Sequence, residues 1–97
     1  MNNSVPSEII AQLKPDFTRH MDEKHLEELL ANANAAFAAY GKRLETALAD
    51  GRLIQERDEL FSKMKNVIRH LLIFQQHSAA YACALKYAEA RQQYTIN

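Results

Sequence analysis

The stretch LFSKMKNVIRHLLIFQQHSAAYACALKYA, residues 60–88, decides how this chain folds. An apolar seam runs through Leu60, Met64, Val67, Leu71, Phe74, Ser78, Tyr81, Leu85 and Ala88 in alternating steps of four and three. That spacing keeps one side of a helix facing a neighbour, and no Gly or Pro interrupts it. It predicts one long third helix over about 53–93. Its start falls between Arg52 and Asp58, because Arg52, Leu53 and Ile54 suit either a turn or a first helical turn.

Outward from this stretch, the chain offers few places to end an element. Gly occurs only at 41 and 51, and Pro only at 6 and 15, which predicts an all-α fold. Pro6 opens a short helix over about 6–14 carrying Ile9, Ile10 and Leu13, stopped by Pro15. Asp22 is an N-cap type, with Met21 and Leu26 placed as a hydrophobic staple, and it starts a second helix over about 22–50. The seam of that helix is Leu26, Leu30, Ala33, Phe37, Tyr40, Leu44 and Ala47, and Gly51 supplies a left-handed terminus.

Consecutive helices with a short Gly-containing connection fold antiparallel, so the expected architecture is a helical hairpin of two long helices with coiled-coil seams plus the short N-terminal helix. The second helix would span about 40 Å and the third about 60 Å at 1.5 Å per residue, leaving Tyr81 to Tyr94 as an overhang. The short helix covers part of it with Ile9, Ile10 and Leu13. Val67, Ile68, Leu71, Leu72, Ile73 and Phe74 spread around more than one seam, and a helix apolar on most sides needs several neighbours. These six residues are therefore the expected partner-binding surface, covered by a second copy in a dimeric bundle or by a helical protein partner.

Composition narrows the functional classes. At 97 residues the chain is read as a single domain over 1–97, and 47% hydrophobic with 25% charged residues marks an ordered globular protein. Lys plus Arg and Asp plus Glu number 12 each, so the positive field that drives nucleic-acid binding is missing and no nucleic-acid partner is expected. The apolar runs at 71–74 and 79–85 fall far short of the roughly 18–20 residues of a membrane span. A lone Cys83 and an N-terminus, Met1 to Pro6, without a basic start and apolar core lead to the expectation of a cytoplasmic protein.

Chemistry-bearing residues are sparse. His25 and His77 are equidistant from Gly51 and His20 precedes the same helix end, with Asp22, Glu28 or Cys83 as further ligand types. No His-x-x-x-His or Glu-x-x-His pair occurs, so no helix presents two imidazoles at ligand spacing, and neither a metal nor another cofactor is expected. Ser78 and Arg57 fall at seam positions: Ser78 as a register setter or a close-packing residue, Arg57 as a stem over the core with its guanidinium in water rather than, as the alternative, a side chain projecting into a pocket. Gly41, inside the second helix, costs about 1 kcal/mol against Ala, which close approach of another helix would offset, a kink before Lys42 and Arg43 being the structural alternative. Lys63, Lys65 and Arg69 follow Glu56, Asp58 and Glu59 and read as a solvated face. Ser4, Ser7, Ser62 and Ser78 lack a strained Gly-rich elbow, and Cys83 sits in an alanine-rich helix that favours an inert thiol.

These features predict a small helical protein–protein interaction module, an adaptor, a chaperone or an inhibitor or regulator of another protein, with no catalysis of its own. The rival reading is a ligand-binding, metal-binding or enzymatic bundle with a polar site between helices.

Overall fold

A computed structural model describes residues 5–95. Ser4, weighed above as a nucleophile, and most of the segment read for a targeting signal lie outside the described residues. Within them the chain is all helix: α1 (Pro6–Leu13), α2 (Glu23–Ala49), α3 (Leu53–Ile73) and α4 (His77–Tyr94).

Each boundary has a local cause. Val5 precedes α1 in extended backbone, its carbonyl accepts from the N–H groups of Glu8 and Ile9, and Pro6 fills the first helical position where its missing N–H costs nothing. Lys14, just before Pro15, leaves the helix with ψ 124. Asp22 starts α2 by accepting the His25 N–H on Oδ1 at 2.9 Å. At the other end Gly51, at φ 74, lets Arg52 N–H reach Ala47 O at 2.8 Å and Gly51 N–H reach Leu48 O at 3.2 Å. These two bonds make a Schellman motif, in which a left-handed residue allows the chain to satisfy carbonyls the ending helix would orphan.

The same motif recurs where the sequence predicts uninterrupted helix. Gln76 N–H donates to Leu71 O at 2.9 Å and Gln75 N–H to Leu72 O at 3.0 Å, with Gln75 in the left-handed region at φ 62. The expected single helix over 53–93 is therefore two helices, α3 and α4. The Gln76 side chain adds a bond from Nε2 to Phe74 O at 3.0 Å. Arg19 N–H, from the connector after α1, donates to Ile73 O at 2.8 Å and satisfies one more carbonyl at the end of α3. A side chain in this left-handed conformation costs about 1–2 kcal/mol, a penalty glycine avoids. Gln75→Gly is accordingly expected to stabilise the fold by about 1 kcal/mol and raise the thermal midpoint by roughly 4–8 °C, read by circular dichroism. A lower midpoint in that variant would mean that the Gln75 side chain itself holds the turn.

Size confirms the break. An unbroken helix over 53–92 would be about 60 Å long, whereas the longest extent of the molecule is 43 Å. The radius of gyration is 13.8 Å, near the roughly 13 Å of a compact 100-residue domain. No overhang remains. α3 is the central element, packed against α4, α2 and α1; α1 lies on α4 and α3 without touching α2.

The core is apolar throughout, with no buried polar or charged side chain among the described residues. α2 contributes Ala33, Phe37, Leu44 and Ala47 from its seam; α3 contributes Leu53, Leu60, Phe61, Met64, Ile68, Leu71 and Leu72. α4 buries Ala80, Cys83, Ala84, Tyr87 and Tyr94, a face rotated away from the Ser78, Tyr81 and Leu85 line that the continuous seam implies. Those three residues are exposed. Once the chain turns at Gln75, α4 restarts with its own phase, so Ser78 neither sets register nor packs. Ile9 of α1 is buried against this core, with Ile10 and Leu13 half-buried beside it. At Gly41 an added Cβ would meet nothing within 4 Å, so no neighbouring helix approaches there and the expected compensation by close contact is absent.

Candidate functional site

The six residues read as a partner surface lie on the last two turns of α3 and its cap. Ile68 and Leu71 are fully buried and Leu72 is 4% exposed, while Val67, Ile73 and Phe74 are half-buried. Ile68 and Leu72, expected to project from the fold, are instead buried, because α4 turns back onto α3 and leaves it packed among α4, α2 and α1. Phe74 keeps contact with the His70 ring, the centroids 5.2 Å apart.

Apolar exposure appears instead on the outer face of α4. Tyr81 and Leu85, one helical turn apart, retain 49% and 45% of their accessible surface. α4 is apolar on its inner face through Ala80, Cys83, Ala84 and Tyr87, and again on its outer face through this pair. A second exposed pair, Leu48 and Ile54, flanks the turn at Gly51.

Polar chemistry gathers in a recess of about 250 Å³ between α3 and α4. Arg57, Phe61 and Lys65 line it from α3 and Tyr87, Arg91 and Thr95 from the end of α4. Spacings of four put Arg57, Phe61 and Lys65 on one face of α3, and Tyr87, Arg91 and Thr95 on one face of α4 and its cap. Phe61 and Tyr87 meet edge to face with centroids 6.0 Å apart. The Arg91 guanidinium lies 5.3 Å from the Phe61 centroid and 5.9 Å from that of Tyr87, and its Nη1 donates to the Tyr87 hydroxyl at 3.1 Å. Arg57 does more than shield its stem: Nη1 donates to Tyr94 O at 3.0 Å and holds the C-terminus of α4. Phe61, Tyr87 and Arg91 carry no functional signal in the sequence, because the break at Gln75 is what brings α4 beside α3. The i, i+4 spacing of Tyr87 and Arg91 would have marked them as a pair.

The remaining candidates separate. His25 is exposed, with Nδ1 2.6 Å from Asp22 Oδ1; this hydrogen bond raises the imidazole above its ordinary pKa. Asp22 is held below its usual value, first by the His25 backbone N–H and then by the His25 side chain. His77 is exposed at the start of α4 and His20 is exposed in the connector. Among the described residues no group of three or more His, Cys, Asp or Glu side chains is gathered to hold a metal ion. Cys83 is buried, which pushes its thiol upward and keeps it protonated. Lys63 pairs with Glu59 at 3.6 Å across one exposed helical turn. No helix among the described residues is long and apolar enough to cross a membrane.

No protein family matches the chain, and neither curated proteins nor solved structures give a significant match.

Proposed function

We propose that the chain is a cytoplasmic helical protein–protein interaction module, serving as an adaptor, chaperone or regulator of another protein without catalysis of its own. The observation that carries this reading is the exposed Tyr81 and Leu85 pair on α4, a helix whose opposite face is already committed to the core. An aromatic and an aliphatic side chain one turn apart are the anchors by which a helix docks against a second helix or a groove. The core supports the same class, since among the described residues it buries no polar or charged side chain that chemistry could use. In this reading α2 and α3 form an antiparallel hairpin that holds α4 rigid, and a second copy of the chain is one partner the α4 face accepts.

The test is the double variant Tyr81→Glu with Leu85→Glu. Both positions are half open to solvent, so the variant is expected to keep its helicity and melting behaviour. Wild-type protein is expected to retain a partner, or its own second copy in sedimentation equilibrium, at least tenfold better than the variant, roughly the effect of losing one interfacial hot spot. Equal retention by both proteins would refute the reading.

A further inference from the structure

We propose that the recess between α3 and α4 is a binding site for a small ligand bearing a phosphate group. Its lining is rich in donors and poor in acceptors. Arg57, Lys65 and Arg91 among its lining residues are cationic, and Ser62 and Thr95 are hydroxyl-bearing. One carboxylate borders it, Asp58, but that side chain is 92% exposed and its Oδ1 lies 3.9 Å from Arg57 Nε, at the outer limit of an ion pair. Among the described residues neither Lys65 nor Arg91 takes part in an ion pair, although the chain as a whole carries equal numbers of acids and bases. The other basic residues that approach carboxylates, Arg43, Arg52 and Lys63, lie elsewhere on the surface.

The arrangement of Arg91 makes the recess more than a patch of positive charge. Phe61 and Tyr87 back its guanidinium, and the Tyr87 hydroxyl fixes one edge of the fork. An arginine held this way loses little side-chain freedom when it takes an anion, and Arg91 stays exposed to solvent with N–H groups beyond the one bonded to Tyr87. Arg57 is likewise fixed by its bond to Tyr94 O. Two guanidiniums, an ammonium and two hydroxyls exceed what a single carboxylate can accept, whereas a phosphate group offers three oxygens with full charge. The volume of about 250 Å³ lies below the roughly 300 Å³ where drug-sized sites begin, so the ligand is small. This site lies apart from Tyr81 and Leu85 and does not depend on them.

The experiment is a titration of the isotopically labelled protein with inorganic pyrophosphate at constant ionic strength, followed by amide and arginine side-chain resonances. Saturable shifts confined to Ser62, Lys65, Arg91 and Thr95 are expected. Arg91→Ala should weaken binding roughly tenfold or more, the effect of losing a charge-assisted hydrogen bond. Because Arg91 also covers Phe61, Lys65→Gln provides a variant at an exposed position with no packing role, and it should weaken binding several-fold. Lys42→Gln, on α2, should bind as wild type. Shifts that never saturate, or that respond equally to Lys42→Gln and Lys65→Gln, would overturn the site. Citrate binding as tightly as pyrophosphate would overturn the phosphate assignment.

Discussion

Replacing Ile68 and Leu72 together with Glu is expected to unfold the protein. Ile68 has no exposed surface and Leu72 has 4%, both inside the contact that α3 makes with its neighbours. Each substitution removes a buried aliphatic side chain and traps a carboxyl group without a partner, costing about 3 kcal/mol or more. The pair therefore reaches the whole stability of a small domain, about 5–15 kcal/mol. Far-ultraviolet circular dichroism should show the helical signal largely lost and no cooperative melt. A free-standing α3 face would give the opposite outcome, a well-folded monomer, so retention of a cooperative transition near the wild-type midpoint would show that these residues are not in the core.

Leu44→Ala carries the second large effect. Leu44 is fully buried on the α2 seam, and truncating such a leucine costs about 2–5 kcal/mol through lost transfer energy and the cavity left behind. The thermal midpoint should fall by roughly 10–25 °C for a chain of this size. Leu48→Ala, one turn further along the same helix, provides the contrast, because Leu48 is 51% exposed. Its effect should stay within about 0.5 kcal/mol. Calorimetry on the two variants measures the difference directly, and equal losses would show that the face of α2 turned toward α3 has been misassigned.

The sequence carries the all-helical class plainly, because it is written in residue types. The period of the second helix, the cap at Asp22 and the left-handed Gly51 are each visible in residue identity, and the seam residues Ala33, Phe37, Leu44 and Ala47 are those the core buries. The break at Gln75 is not written that way. Its hydrogen bonds repeat those at Gly51, but the left-handed position is filled by a residue that ordinarily continues a helix. Alanine spread around α4 compounds the difficulty, since small apolar residues on several sides leave the helix without a clear phase, and Ser78, Tyr81 and Leu85 extend the seam of α3 by spacing alone. Everything that depends on the break was hidden with it: the burial of Ile68 and Leu72, and the meeting of Phe61 and Arg57 with Tyr87, Arg91 and Tyr94.

The docking of α1 on α4 sets an order of events during synthesis. More than sixty residues of chain separate Leu13 from His77, so α1 leaves the ribosome well before the α4 surface it packs against. α2, α3 and α4 are joined by short turns and can pair as they emerge, whereas the contact between α1 and α4 closes the longest loop in the molecule and pays the largest closure entropy. A helix of eight residues has little stability in water on its own. Of the four helices, α1 is thus made before the others and settles after them, and its arrival ties together two helices far apart in the sequence.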